Sequence, residues 1–217
     1  LHSHGIPTIP TMRVEDAVDR GEAEAKNRIG DTEKGYIVKS PASSGGKKQH
    51  RARDWDQVKD LLSDENLESM KDPYIIQPFI EHDRDRRWIT YGGELGSGMM
   101  RRSDGSYQTN VSGDRTVEMN TLAAIAKDLV KPLEPAEAEE IPVVKDSVDA
   151  LADSAGCSPE HIITSVDVIE SDNDDLEGLP DSYLDDIEFY ADDSSYMVTE
   201  FEAYPGRMID HLHMWEG

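Results

Sequence analysis

Three acidic residues in the last quarter of the chain have types and spacing that could do chemistry. Asp167 lies in an apolar segment over residues 162–169, and Glu200 and Glu202 lie in a second such segment over residues 196–206. Both segments predict β-strands, in which every second side chain shares a face, so the two glutamates should project side by side. If the strands are neighbours, Asp167 joins them. Three hard oxygen donors on one sheet face suit Mg²⁺ or Mn²⁺.

The same alternation predicts the neighbours of this trio. In a regular strand Val198 lies on the face of Glu200, and Thr199 and Phe201 lie on the other face. A plainer interpretation stays open, because three acids in so acidic a chain can be ordinary surface residues. The elements around these strands must therefore decide between a metal site and a solvated surface.

Charge and composition exclude some functions. The 217 residues carry a formal charge of -24, from 46 acids and 22 bases, which argues against a partner that is itself anionic, such as nucleic acid or a membrane surface. The even scatter of the acids resembles the surfaces of halophile proteins, whose self-repulsion is screened where the Debye length is about 3 Å at 1 M salt. Most of this charge is expected to serve solvation.

Cysteine content and hydropathy predict a cytoplasmic protein. Cys157 is the single cysteine, so an internal disulfide or a multi-cysteine zinc site is impossible, and a reducing compartment fits. No apolar run approaches 18 residues, which argues against a membrane span. The chain begins at Leu1 rather than Met, so a longer parent protein is expected, and a homo-oligomer stays open.

A basic segment follows a short predicted strand over residues 35–39. Lys39 ends this strand, and a loop of small residues with Gly45 and Gly46 comes next. The nearby bases are Lys47, Lys48, Arg51 and Arg53. Backbone N–H groups of such a loop approach anions closely, so the segment could cradle phosphates, and a flexible hairpin connection is the alternative.

The remaining pattern predicts alternating helices and strands. Helices are expected over residues 14–28, 54–70, 121–131 and 143–155, and strands over residues 74–80, 88–91 and 95–102, with a hairpin turn at Gly92 and Gly93. Residues 171–195 are interpreted as a long solvated acidic loop, because Asp172 and Asp174 lack the rest of a calcium-loop spacing. Six arginines between Arg84 and Arg115 predict a second anion-facing surface, unless they pair with surface acids.

Taken in order, these parts resemble the ATP-grasp superfamily, and within it the RimK-like glutamate ligases. The resemblance spans nearly the whole chain. It rests on Lys39 before a small-residue loop, residues 77–80 (QPFI), residues 85–87 (DRR), Arg101 and Arg102, Thr109 and Asn110, residues 166–169 (VDVI) and residues 200–206 (EFEAYPG). It implies an α/β (α+β) fold whose two lobes, residues 1–76 and 77–217, close on ATP between antiparallel sheets, with the family's N-terminal domain missing.

The resemblance also implies an activity and a set of site residues. Such enzymes use ATP and Mg²⁺ or Mn²⁺ to convert a carboxylate into an acyl phosphate, which an amine from an amino acid, peptide or small molecule attacks. The nucleotide would meet Lys39, the hinge residues Pro78 and Phe79, Asp85, Gln108, Thr109 and Asn110. The metal would be held by Asp167, Glu200 and Glu202, and Arg87 and Arg102 would face the transferred phosphoryl group.

The chain departs from the family pattern at several positions. Pro78 stands where the family usually has Glu, Gln108 replaces an arginine, and Glu202 replaces an asparagine. Ser43 and Lys48 occupy glycine positions of the loop. Two alternatives therefore stay open: a degenerate ATP-grasp domain that binds nucleotide or a partner without catalysis, and an acidic metal-buffering protein that uses residues 171–195.

Overall fold

The computed structural model describes residues 1–40, 49–63, 74–82, 84–102, 130–133, 139–190 and 195–202. Its strands are β1 Met12–Arg13, β2 Tyr36–Lys39, β3 Gln49–Ala52, β4 Ile75–Pro78, β5 Arg84–Tyr91, β6 Glu94–Arg102, β7 Val130–Leu133, β8 Ile163–Ser171 and β9 Ser195–Glu202. Its α-helices are α1 Val14–Arg20, α2 Glu22–Ile29, α3 Trp55–Ser63, α4 Ile141–Ala155 and α5 Asp181–Tyr190. Strands and helices are thus mixed along the chain, as the sequence predicts.

The strands form two antiparallel sheets. The first has four strands in the order β1-β4-β2-β3, and the second has five strands in the order β7-β6-β5-β8-β9. The chain passes from the first sheet to the second after Pro78, the last residue of β4. The lobe boundary predicted between residues 76 and 77 falls inside this strand.

The first sheet is covered by helices with a single apolar face. Helix α3 buries Trp55 and Val58 against Tyr36 and Val38 of β2, and the Trp55 and Tyr36 rings meet edge to face at 5.4 Å. The carboxylate of Asp54 accepts a hydrogen bond from the Gln57 backbone N–H at 2.8 Å, so Asp54 caps the start of this helix. This packing holds β2, and therefore Lys39 at its end, in a defined position.

A tight hairpin joins β5 to β6 in the second sheet. Gly92 and Gly93 form its two-residue turn with φ of 59° and 77°, values that glycine adopts without a steric penalty, so the predicted hairpin turn is confirmed. Further along, Trp88 pairs with Gly98 but Thr90 pairs with Leu95, so β6 holds one extra residue. A Cβ on Gly98 would lie 2.5 Å from the Trp88 ring, so glycine lets the buried indole lie across β6.

A second extra residue lies in β9, and it corrects the predicted alternation. Asp167 pairs with Glu200 whereas Val168 pairs with Val198, so Thr199 is a β-bulge. Val198 packs in the same apolar cluster as Val168, on the sheet face opposite Glu200. The expectation that Val198 shares the face of Glu200 is therefore wrong, because the bulge inverts the alternation between them.

Helix α4 and the start of the chain cover the opposite face of the second sheet. Val143, Val144 and Val148 of the helix pack on Trp88, and Ile6 joins the same cluster. The N–H of Val198 donates to the Pro7 carbonyl at 2.9 Å. The predicted helix over residues 143–155 is confirmed, whereas Val130 and Lys131, predicted at the end of a helix, belong to β7.

The acidic segment 171–195 is not a solvated loop. It contains a 3-10 turn, Asn173–Leu176, and helix α5, and its side chains Leu176, Leu179 and Ile187 are buried with Ile169 and Met197. The many acids conceal apolar residues whose burial stabilises the segment. Across the described residues, every helix is too short or too polar to cross a bilayer.

Candidate functional site

Charged side chains from four adjacent strands meet on one face of the second sheet. Asp85 of β5 pairs in register with Arg101 of β6, Arg87 of β5 pairs with Asp167 of β8, and Asp167 pairs with Glu200 of β9. Residues directly opposite each other on neighbouring strands point to the same side. We call these five residues the charged face.

Asp167 is the centre of this face. Its Oδ1 accepts from Nε of Arg87 at 2.6 Å, and its Oδ2 accepts from Nη2 of Arg87 at 2.5 Å and from Nη2 of Arg101 at 3.1 Å. Burial alone would raise the pKa of Asp167, but the charges and hydrogen bonds of Arg101 and Arg87 hold it below its ordinary value. The carboxylate is therefore ionised at neutral pH.

Arg101 connects two carboxylates. Its Nη2 donates to Oδ2 of Asp85 at 2.5 Å as well as to Asp167. The residue is 7% exposed, and its Nε has no hydrogen-bond partner among the residues that the structure describes. Burial works against its charge, but the charges of Asp85 and Asp167 raise the pKa of Arg101 above its ordinary value. Arg101 of β6 thus links Asp85 of β5 to Asp167 of β8 through one guanidinium group.

Lys39 faces this group from the first sheet. Burial lowers the pKa of its ammonium group below the ordinary value, and the charges of Glu200, Asp167 and Asp85 offset only part of that effect. Within the described part of the chain its ammonium group makes no hydrogen bond or ion pair, although three carboxylates act on it. A partly buried, unpaired cation between two sheets is an arrangement that an anionic ligand would complete.

Sequence comparison matches the chain to no protein-family model and to no curated protein, but its fold has known counterparts among solved structures. D-cycloserine synthetase DcsG superposes with a TM-score of 0.59 at 18% identity, covering 93% of this chain and 58% of that protein. D-alanine–D-alanine ligase from Bacillus anthracis, complexed with ATP, gives a TM-score of 0.53 at 15% identity, covering 95% of this chain and 53% of the ligase.

A RiPP-associated ATP-grasp ligase from Chryseobacterium gregarium, in complex with ADP and a leader and core peptide, gives a TM-score of 0.51 at 15% identity. Its match covers 97% of this chain and 51% of that ligase. The chain has the ATP-grasp fold. It spans 51–58% of the length of these three proteins.

Within the ATP-grasp fold, five of the predicted site residues come together. Lys39, Asp85, Arg87, Asp167 and Glu200 lie at one place between the two sheets. The predicted pairing of the two acidic strands is confirmed by the direct register of Asp167 with Glu200.

The predicted hinge residues lie at the edge of this arrangement. Pro78 pairs with Tyr36 in the first sheet, and the N–H of the next residue, Phe79, donates to the Gly35 carbonyl at 2.8 Å. The guanidinium of Arg51 stacks on the Phe79 ring at 3.8 Å.

The other predicted residues are described only in part. Gln108, Thr109 and Asn110, like Ser43 and Lys48, lie outside the described residues. Arg102 and Glu202 are placed in β6 and β9, and their side chains are not described. Arg101 of β6 reaches two of the acids, and it was not among the predicted site residues. The extra residue in β6 sets its register with Asp85, and that residue could not be foreseen.

The opposite face of β5 is fixed by a second ionic network. The guanidinium of Arg86 contacts Glu170 at 2.6 Å and Glu140 at 3.3 Å, and Glu140 also accepts from the Trp88 indole at 2.9 Å. Arg86 lies 5.1 Å from the Tyr196 ring, and burial raises the pKa of Tyr196 to about 12. These contacts hold the strand that carries Asp85 and Arg87.

The donor set fits a divalent metal in type but not in its present contacts. Asp167 and Glu200 are oxygen donors directly opposite each other, as Mg²⁺ prefers. Both oxygens of Asp167, however, accept hydrogen bonds from arginines. Among the described residues no group of three metal-ligating side chains is gathered, and the side chain of Glu202 is not among them. A metal at Asp167 would therefore compete with Arg87 and Arg101 for these oxygens.

Proposed function

We propose that the chain is the ATP-binding and catalytic portion of an ATP-dependent carboxylate–amine ligase of the RimK-like type. The observation that carries this proposal is Lys39, a partly buried ammonium group with no partner in the described residues. It faces a sheet whose carboxylates are held by Arg87 and Arg101. In an ATP-grasp fold, a polyphosphate fits between these cations.

The residues of the charged face divide into three roles in this proposal. Lys39 and Arg87 bind and orient phosphate oxygens, since a guanidinium offers two parallel donors and an ammonium a compact charge. Asp167 and Glu200 hold Mg²⁺ or Mn²⁺, which when bound neutralises phosphate charge. Arg101 holds the carboxylates of Asp85 and Asp167 in place through its hydrogen bonds to both. The proposed contributions of Arg102, Glu202 and Gln108–Asn110 rest on the family resemblance alone.

The proposed reaction has two steps. A substrate carboxylate oxygen attacks the γ-phosphorus of ATP, which forms an acyl phosphate and releases ADP. The amine then attacks the acyl carbon, an amide forms, and inorganic phosphate leaves. Fixed cations at the transferred group stabilise the charge that develops in both steps, and such electrostatic stabilisation is worth several kcal/mol, or about 10²–10³ in rate for one donor.

The substrates are proposed only as classes. The structurally similar proteins include a ligase of D-alanine and a ligase complexed with peptides, so an amino acid, a peptide or a small amine is a suitable acceptor. The described residues contain no motif that selects one carboxylate.

A second candidate function is a domain that binds nucleotide without catalysis. It is favoured by one specific observation, the engagement of both Asp167 oxygens by arginines, which opposes the metal needed for phosphoryl transfer. The metal-buffering alternative for residues 171–195 has less support, because the segment buries its apolar side chains in the core.

The test combines nucleotide binding with turnover. Calorimetric titration with a non-hydrolysable ATP analogue and Mg²⁺ should give saturable binding, and Lys39→Ala should weaken it by about 10- to 100-fold, the value of a lost charge-assisted contact of about 1.5–3 kcal/mol. Lys34→Ala is the matched control, since Lys34 already pairs with Glu81 and Asp175.

Turnover separates the two candidates. ADP release with Mg²⁺ and a panel of carboxylates and amines identifies a ligase, whereas tight binding without ADP release under any pair supports the binding domain. Equal nucleotide affinity for the parent and the Lys39→Ala variant at matched salt would contradict the assignment of Lys39 to the phosphates, and no binding by either protein would contradict both functions.

A further inference from the structure

The described side chains of the site balance their own charges. Three cations, Lys39, Arg87 and Arg101, face three carboxylates, those of Asp85, Asp167 and Glu200. A site that bound polyphosphate by attraction alone would carry a surplus of cations. Lys39 has no partner among the described residues, but an anionic group that binds Arg87 must replace the carboxylate of Asp167.

We propose that Arg87 is an internal competitor of a divalent cation for Asp167, and that nucleotide, by drawing Arg87 to its phosphates, releases this carboxylate to the cation. This inference rests on the proposed nucleotide site and adds the order in which its ligands bind. Metal should bind the nucleotide-free chain weakly, and metal and nucleotide should each raise the affinity for the other.

Arg87 and Asp167 form a two-pronged ion pair. Nε and Nη2 of Arg87 address the two oxygens of Asp167 at 2.6 and 2.5 Å, the two-pronged pairing that fits guanidinium to carboxylate. Both oxygens are thereby engaged from one side. A divalent cation that approached Asp167 would also meet the positive charge of Arg87 at contact distance, where repulsion in a partly buried site is strong.

Arg101 is expected to remain bonded to Asp167 when Arg87 leaves. Arg101 bonds Asp85 as well as Asp167, so its departure would leave two buried carboxylates without their shared partner. The side chain of Arg87 is 16% exposed and that of Arg101 is 9% exposed, so Arg87 lies nearer to an incoming ligand. Exchange of Arg87 from carboxylate to phosphate conserves a two-pronged contact, because both groups match its fork.

Reciprocity follows from thermodynamic linkage. If nucleotide raises the affinity for the cation by removing Arg87 from Asp167, the cation must raise the affinity for nucleotide by the same factor. The free energy needed to separate Arg87 from Asp167 is spent when the first ligand binds, so the second ligand binds without that cost. The expected coupling lies in the usual range of about 5- to 150-fold.

The experiment measures Mn²⁺ affinity by electron paramagnetic resonance, first without nucleotide. Arg87→Gln should bind Mn²⁺ about tenfold or more tightly than the parent, because Asp167 loses its internal cation. Addition of a non-hydrolysable ATP analogue should then tighten Mn²⁺ binding in the parent and do so less in the variant. Lys145→Gln makes the same charge change at an exposed position of α4, and it should match the parent in both measurements.

Two further variants make the result decisive. The double variant Arg87→Gln with Asp167→Asn should lose the added Mn²⁺ affinity, which places the gain at Asp167. Arg87→Lys, which retains the charge but not the fork, should give an intermediate gain and serves if Arg87→Gln fails to fold by circular dichroism. Unchanged or weaker Mn²⁺ binding in folded Arg87 variants, or no Mn²⁺ binding by any of these proteins, would overturn the inference.

Failure of the proposed function gives a different result. If no protein binds the nucleotide analogue but Arg87→Gln still binds Mn²⁺ more tightly, the competition at Asp167 stands and the nucleotide proposal fails. If the analogue binds normally but Mn²⁺ affinity is the same in the parent and in both Arg87 variants, the nucleotide proposal stands and the competition fails.

Discussion

The two sheets contribute to the site in different ways. In the four-stranded sheet the described pairings are regular, and its contribution to the candidate site is Lys39 at the end of β2. In the five-stranded sheet two strand pairs change register, in β6 and in β9, and this sheet supplies the five residues of the charged face. The comparison shows that the bulges of the five-stranded sheet decide which charged residues pair across its strands. The regular strand β2 places only its last residue, Lys39, near these charges.

The largest expected effect is the loss of Arg101 from the charged face. Arg101→Met should destabilise the protein by about 3–5 kcal/mol, because it leaves Asp85 and Asp167 buried without the cation that they share. Urea unfolding followed by circular dichroism measures the change. The midpoint should fall while the slope, which reflects the surface exposed on unfolding, stays the same.

An arginine beside the first sheet provides the matched control. Arg28→Met removes an exposed pair with Glu24 on α2, which is worth about 0–1 kcal/mol. If Arg101→Met lowers the free energy of unfolding by no more than Arg28→Met, the network around Asp167 does not stabilise the five-stranded sheet.

The parts that could be predicted from the sequence are those with a local cause. Helix α3 follows from the spacing of Trp55 and Val58 and the cap at Asp54, and the β5–β6 turn follows from Gly92 and Gly93. These features depend on neighbouring residues alone. The fold was predicted in another way, through a family resemblance that rests on the order of motifs along the chain, and the roles of the five residues that the structure brings together stay predictions.

The parts that could not be predicted depend on partners far away in the sequence. No local signal indicates that Thr199 is an extra residue or that Arg101 pairs with Asp85, because a bulge is set by how two strands pack against each other. Net acidity also obscured the buried Leu176, Leu179 and Ile187 in the segment 171–195. Charge count is a property of the surface, whereas burial is decided by the few apolar positions.

Single-residue deletions in β9 offer a direct test of the bulge. Deletion of Thr199 should be tolerated, because Val198 and Glu200 would become neighbours and still pair with Val168 and Asp167 in a regular ladder. Deletion of Val198 should cost about 2 kcal/mol more, since it removes a buried valine and brings the polar Thr199 to the apolar cluster. Thermal and urea unfolding of the two deletion variants measure the difference.

The two deletions remove one residue each from the same strand, so they shorten it equally. Similar costs would mean that the register of β9 is not set by Thr199 as a bulge. A more costly deletion at Thr199 would instead show that the bond from its hydroxyl to the Asp167 carbonyl, at 3.2 Å, dominates the local stability.

The smallest expected effect comes from the one regular-strand residue of the site. Lys39→Met removes an ammonium group whose burial is not fully offset by the acids around it, so the ligand-free protein should become more stable by about 1 kcal/mol, the lower end for replacing buried charge with an apolar group.

The gain in stability of the Lys39→Met variant should depend on pH. The lowered pKa means that folded Lys39 releases its proton before unfolded Lys39 does, so the stability of the parent rises with pH between that lowered pKa and the ordinary value of 10.5. The advantage of the variant should therefore shrink between about pH 7 and about pH 10 when urea unfolding is compared at both values. A variant that is less stable than the parent at neutral pH would contradict this prediction. It would show that attraction to the three carboxylates stabilises the Lys39 ammonium group by more than its burial costs.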